Sequence, residues 1–293
     1  VARIVIAGCG YIGGRLARLW REQGATVTCL VRSPEKAAQL ADEGFSARAI
    51  SLDGEIASLP EVKGATLYYF VPPPGGGIAD SRARRFIAML IETGAPERIV
   101  YMSATSVYSE GGGAVVTEQS PVEPESAMGK RRRDAEVAFQ EYGATHGVPV
   151  VILRVSGIYG PGRLPLMQIS QGQPLLREEE SGPSNRIHAD DLAALCVAAA
   201  DKGADGDIFN ISDGQPSSMT AYFNACADAL GCPRQPQVTM TEAREVMTPL
   251  MFSYVSQSRV VDNSLMCHTL GVALRYGDLM AGIAASVAEN KPD

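Results

Sequence analysis

Short apolar runs rich in β-branched residues alternate with longer stretches whose apolar positions recur every three to four residues, and the alternation persists from residue 3 to about residue 212. Seven runs read as strands: Arg3 to Ala7, Thr26 to Val31, Ala47 to Leu52, Thr66 to Val71, Arg98 to Ser103, Val150 to Val155 and Ile208 to Ile211. The helical period predicts Ile12 to Gln23, Glu35 to Glu43, Ser81 to Thr93, a run around Met128 to His146, and Ala189 to Ala200, each ending near Gly or Pro. Such alternation is what a parallel sheet covered by helices on both faces requires. Beyond residue 212 it weakens, leaving helices near Ser217 to Leu230 and Tyr276 to Glu289, and a stretch from Tyr254 to Asn263 that suits a strand or a lobe edge. The expectation is an α/β chain with a doubly wound parallel sheet of about seven strands. Residues 1–160, completed by about 186–212, form the sheet domain, and 161–185 with 213–293 form a smaller C-terminal lobe.

Three Pro/Gly-rich stretches, Pro72 to Gly77, Gly111 to Gly113 and Gly157 to Pro165, follow predicted strands. Ligands of open α/β sheets bind beyond the carboxyl ends of the strands, so these loops are expected either to wall a site or to be simple turns. Composition narrows the partner. With 26 basic and 33 acidic residues the chain carries a net charge of -7, which offers no footprint for nucleic acid or an anionic membrane. Cys9, Cys29, Cys196, Cys226, Cys232 and Cys267 are scattered singly and read as buried thiols in a reducing compartment, hence a cytoplasmic protein. With only His146, His188 and His268 available, no metal site is expected.

Gly8-Cys9-Gly10-Tyr11-Ile12-Gly13 follows the first strand and opens a helix. In that setting the glycines permit a tight turn and close approach to a pyrophosphate, and the helix N-terminus supplies N–H groups and a positive dipole end. Gly8, Gly10, Tyr11, Ile12 and Gly13 are therefore candidate dinucleotide ligands. The second strand ends Leu30-Val31-Arg32-Ser33, placing a cation where an NAD-preferring site would carry a carboxylate for the ribose 2′-hydroxyl. Arg32 and Ser33 fit a 2′-phosphate, so NADP is favoured over NAD, the alternative being a solvated strand-end arginine. Asp53, after the third strand, is placed to accept from an adenine amino group, as any exposed loop carboxylate would be.

These residues resemble an extended short-chain dehydrogenase/reductase, in particular the atypical NAD(P)-dependent epimerase/dehydratase-like proteins. The resemblance runs through Gly8 to Gly13, Ser103-Ala104-Thr105-Ser106-Val107-Tyr108, Arg154 with Gly157 to Gly162, Asn185-Arg186-Ile187-His188-Ala189-Asp190-Asp191-Leu192, and Phe209 to Asp213. It implies a Rossmann-type cofactor domain, a C-terminal lobe over the nicotinamide, and sugar-nucleotide or other carbonyl/hydroxyl substrates. It also implies a Ser or Thr with a Tyr-x-x-x-Lys, in which the tyrosine exchanges a proton with the substrate oxygen and the lysine lowers its pKa. Lys130 fits the lysine, but Ser126 then stands where the tyrosine should be, and Ala104 where the orienting hydroxyl should be. Ser103 or Thr105 would have to orient the substrate, and Tyr108, Tyr159 or His188 to supply the proton. Tyr108 ranks first, against a packing role beneath the cofactor, and His188 equally suits a helix start. The catalytic candidates are thus Tyr108, Lys130 and Ser103, with Lys130 also on the nicotinamide ribose.

Other charges have plainer readings. Lys130-Arg131-Arg132-Arg133 must fan around a helix, so most of it is a solvated face. Glu178-Glu179-Glu180 would repel an anionic substrate if it lined the pocket, and Arg186 suits either a substrate phosphate or carboxylate or a structural ion pair. The resemblance implies a paired-helix homodimer, which the apolar residues of Ser81 to Thr93, with Val137 and Phe139, would support, though a face buried within the chain explains them equally well. The function expected is an NADP-dependent oxidoreductase or epimerase-like enzyme acting on a small carbonyl or hydroxyl substrate. The alternative is a catalytically silent NADP(H)-binding sensor.

Overall fold

The computed structural model describes residues 1–54, 58–60, 62–109, 112–256 and 258–289, so Gly111 of the triple glycine lies outside the described residues. Seven strands form one sheet: β1 (Arg3–Ala7), β2 (Thr26–Val31), β3 (Ser46–Ala49), β4 (Thr66–Tyr69), β5 (Arg98–Ala104), β6 (Val150–Val155) and β7 (Ile208–Ile211). Their order is β7-β6-β5-β4-β1-β2-β3, and every neighbouring pair is parallel. The chain starts mid-sheet, winds out to β3 and returns past β1 to β4, so the order reverses between β1 and β4. That reversal opens a crevice at the carboxyl ends of those strands. β3 and β4 end earlier than the apolar pattern predicts, and the apolar residues beyond them, Ile50, Leu52 and Val71, line the crevice.

Helices α1 (Tyr11–Glu22), α2 (Pro34–Asp42), α3 (Ser81–Thr93), α4 (Ala127–His146) and α5 (Ala189–Lys202) cover the sheet. Because successive strand residues face opposite sides, Ile4 and Ile6 pack with Leu16, Leu192 and Leu195 on one face, and Val5 and Ala7 with Phe86, Leu90 and Phe139 on the other. The side chains of Ser33, Asp80, Ser126 and His188 accept hydrogen bonds from first-turn amides of α2, α3, α4 and α5. At α1 the cap is Gly10, and no side chain caps that turn. The lobe is built on helices Met219–Leu230 and Leu279–Glu289, packed around Tyr159, Leu175, Tyr222, Phe223 and Ile283. Tyr254 to Asn263 is not one strand: it holds the end of the helix Pro249–Ser256 and a two-residue strand, Val260–Val261, paired with Val115–Val116. Cys9, Cys29, Cys196 and Cys226 are buried thiols as expected, but Cys232, just past the end of the helix Met219–Leu230, is half-buried and Cys267 is exposed. Among the described residues no helix is long and apolar enough to cross a membrane.

A buried polar chain ties α4 to three strands. The Glu136 carboxylate, wholly buried, accepts from Arg154 Nε at 3.0 Å and Nη2 at 2.9 Å, from Ser103 Oγ at 2.7 Å, and from Arg133 Nη1 at 3.0 Å. Arg154 Nη1 also donates to the Tyr108 hydroxyl, which donates to Asn210 Oδ1 at 2.6 Å. Removing one member of such a pair strands the other charge in the interior, at a cost of about 3–5 kcal/mol. Glu136→Gln is expected to lower unfolding stability by about 3 kcal/mol in urea denaturation; a loss below about 1 kcal/mol would mean that water reaches Arg154.

Candidate functional site

At the β1–β4 crevice lies a cavity of about 650 Å³ lined by the glycine loop, the ends of β2 and β4, and Arg82, Arg132 and Arg163. Gly8 has φ +89°, and a Cβ there would fall 2.8 Å from the backbone of Phe70 and Val71. A Cβ on Gly13 would fall 2.8 Å from Gly8 O, whereas one on Gly10 would meet nothing within 4 Å. Gly8 and Gly13 are thus demanded by the fold, and Gly10 leaves the cavity side open at an uncapped helix N-terminus, the arrangement a pyrophosphate needs. Ile12 and Tyr11 line the same wall. The Tyr11 hydroxyl donates to Pro161 O at 2.8 Å, and its ring carries the Arg15 and Arg163 guanidinium groups at 4.1 and 4.6 Å from the centroid.

The far end of this groove is cationic. Arg32, Ser33 and Lys36 line it together, with Arg32 exposed and no carboxylate ending β2. Asp53 also lines it, but both its oxygens accept from Arg82, at 2.6 and 2.7 Å, and that bond holds the carboxyl below its ordinary range. Arg82, Lys36, Arg163 and Arg132 escaped the sequence reading because each comes from a helix or loop that only the fold brings to the groove.

A second pocket, of about 330 Å³, adjoins the first across Ile158, which lines both. Its walls include Ala104 at the end of β5, Thr105 and Ser106 after it, Met128 on α4, Ser156, Tyr159, Arg186, Tyr222, Tyr254 and Arg259. Arg186 is held by a short parallel pairing of Gly157–Tyr159 with Arg186–His188. Arg259 is placed by Asn185, whose side chain donates to Arg259 O and accepts from Val261 N. Behind this wall Asp213 is buried; its Oδ1 accepts from Gln215 N at 2.9 Å and its Oδ2 has no partner. Burial pushes its carboxyl up to about 6, against the opposing effects of that amide and of Arg186.

Residues 81–212 match the model of the NAD dependent epimerase/dehydratase family. Over that stretch the chain is similar to the epimerase/dehydratase family. The chain is 30% identical over 123 residues to dTDP-D-glucose 4,6-dehydratase of Homo sapiens, a match covering 39% of this chain and 35% of the relative, so it spans about a third of the first curated relatives' length. It is 24% identical to Protein YeeZ of Escherichia coli over 94% of this chain and 97% of that one. Among solved structures, a functionally unknown conserved protein from Silicibacter pomeroyi superposes with a TM-score of 0.83 at 26% identity, covering 98% and 99% of the two chains. MoeE5, solved in complex with UDP-glucose and NAD, superposes with a TM-score of 0.74 at 23% identity over 98% of each.

The epimerase/dehydratase resemblance led to a tyrosine and a lysine four apart on one helix, and the structure moves that register by two residues. The α4 residues that face the cavities at that spacing are Met128, on the second pocket, and Arg132, on the groove, where Arg132 Nη1 donates to Met102 O at 2.9 Å. Gly129 sets this placement, since a Cβ there would fall 2.2 Å from Ser106 O. Lys130, two positions from either, is exposed and lines neither cavity, and Ser126 caps α4. The catalytic assignments of Ser103 and Tyr108 are likewise corrected: both are buried in the Glu136–Arg154 chain and line neither cavity. His188 is buried, accepts from Asp190 N through Nδ1, and is lowered by burial, so it is a neutral cap rather than a proton donor. Tyr159 does line the pocket, but its hydroxyl lies against the C-terminal helix, 2.1 Å from where a Gly282 Cβ would be.

The raised Asp213 carboxyl has a pH consequence. The unfolded chain ionises this group near its ordinary value and the folded chain only near 6, so the folded state holds more protons between the two. Stability is therefore lost as pH rises through that window, by on the order of 2–3 kcal/mol once both states are ionised. Asp213→Asn removes the penalty: its unfolding midpoint is expected to rise relative to the parent as pH goes from about 4 to 7, and parallel pH profiles would show that Asp213 is solvated.

Proposed function

We propose that this chain is an NADP(H)-dependent oxidoreductase or epimerase-like enzyme acting on a small carbonyl or hydroxyl compound held in the second pocket. The observation that carries this reading is the contact of the two cavities across Ile158, between a glycine-loop groove with a cationic end and a pocket walled by hydroxyls. When bound, the nicotinamide supplies a hydride donor or acceptor. Gly8 to Gly13 and the α1 N-terminus receive the pyrophosphate, and Arg32, Ser33 and Lys36 the 2′-phosphate. Arg82, its charge neutralised by Asp53 and its Nη1 donating to Pro72 O, lines the groove beside them. Arg132 provides a fixed positive charge in the groove but no proton, because a guanidinium does not deprotonate in proteins.

Proton handling differs from the Tyr-x-x-x-Lys pattern. Met128 has no exchangeable proton, so the hydroxyls near it, Thr105 and Ser106, orient the substrate oxygen and water completes the transfer. Met128 also favours a second reading, a catalytically silent NADP(H)-binding sensor, since an apolar side chain at that position discards the acid and keeps the groove.

Two measurements separate these readings. Fluorescence titration should give tighter binding of NADPH than of NADH, and Arg32→Ala should weaken NADPH by about 10- to 100-fold while leaving NADH unchanged. Equal affinities in parent and variant would remove the NADP assignment. Transfer of deuterium from 4-deuterated NADPH to a panel of small aldehydes and ketones, lost in Ser106→Ala, supports the enzyme; a silent panel with NADPH binding intact selects the sensor.

A further inference from the structure

We propose that the second pocket is built for a small organic anion, a carboxylate or a phosphate ester, whose charged group docks on Arg186; this deepens the reading that the pocket holds the substrate and rests on it. A guanidinium removed from water is costly unless an opposite charge meets it. Arg186 is 5% exposed, yet its polar partners are neutral: Nη1 donates to Ser217 Oγ at 2.8 Å, Nη2 to Ser184 Oγ at 3.0 Å and more weakly to Met219 Sδ at 3.8 Å. Its carbon sits 4.0 Å from the centre of the Tyr222 ring. The neighbouring carboxylate, Asp213, is turned to Gln215 N and forms no ion pair with it. Among the described residues, then, this buried cation faces a cavity with no carboxylate in ion-pair contact, and Asp213 acts on it only through space.

The surroundings match the same ligand. Among the described residues the lining carries the Arg186 guanidinium and no carboxylate. The acidic run that would have repelled an anion is engaged elsewhere, Glu178 with the Ser218 hydroxyl and Glu180 with Met240 N. Among the described residues three hydroxyls of the wall have no hydrogen-bond partner: Ser156 Oγ, on a residue 8% exposed, Ser106 Oγ, and the Tyr159 hydroxyl that lies against the C-terminal helix. Anionic oxygens accept from just such donors. Met128, Ile158, Met219 and Tyr222 supply apolar wall for a short carbon chain. At ~30 Å³ per water, 330 Å³ is room on the order of ten waters, which suits a compound of a few carbons.

Calorimetric titration of the full chain without dinucleotide, using sodium glycerate, glycerol 3-phosphate and glycerol, tests this with probes of one carbon skeleton. At least one anion should bind saturably at about 1 mM or tighter while glycerol does not, and the preferred anion identifies the carboxylate or the phosphate arm. Arg186→Lys and Arg186→Met should weaken that anion by about tenfold or more and leave NADPH affinity within about twofold. Failure of both anions to bind the parent protein would overturn the proposal without recourse to any variant. So would anion binding that NADPH displaces and both Arg186 variants retain, because the anion would then occupy the dinucleotide groove. Loss of NADPH binding with anion binding intact would strike the oxidoreductase reading and leave the anion pocket standing.

Discussion

The buried Glu136–Arg154 pair is the constraint on which the site's geometry depends. An ion pair this deep survives only if nearly every donor and acceptor around it is satisfied. Satisfying it recruits Ser103 from β5, Tyr108 from the turn after it and Asn210 from β7. That requirement fixes α4 against the sheet and the β5 turn against α4. Two hydroxyls that the sequence offered as substitutes for the missing catalytic groups are thereby committed to structure. What remains to face the cavities is set by elimination: Thr105 and Ser106 from the turn, Met128 and Arg132 from the helix.

The two cavities contrast in how their charge is held. In the dinucleotide groove the exposed Arg32 and Lys36 lie in solvent, while Arg82 is neutralised by Asp53, so the groove presents charge at little folding cost. In the second pocket Arg186 is buried among neutral partners and Asp213 keeps an unpartnered oxygen. Strain of this kind is concentrated where a ligand relieves it. Backbone amides and solvated cations suffice for the one, whereas the other needs a preorganised charge whose counterpart arrives from outside.

The helix α4 shows how narrow the margin of a motif reading is. Lys130 satisfies a four-residue count back to Ser126, and nothing in the one-dimensional pattern distinguishes that register from Met128 and Arg132. On a helix two residues amount to about 200°, so the shift carries the charge from the groove to the solvent. The decisive signal is Gly129, whose missing side chain lets the helix touch Ser106 O. It identifies the face pressed against the sheet only once the turn after β5 has been located.

Local information was enough for everything governed by periodicity and by backbone chemistry. The seven strands, their parallel winding, the cofactor-domain helices and the glycine loop follow from apolar spacing, caps and a turn that tolerates no Cβ at Gly8. The cation at the end of β2 was equally legible, because its position relative to the loop is set by one strand and one helix. The short elements after residue 230, the commitment of Ser103 and Tyr108 to a buried network, and the exposure of an unbalanced Arg186 to a pocket were decided by tertiary structure alone. Each depends on side chains far apart in the chain competing for the same hydrogen bonds and the same interior, and no local pattern records which of them wins.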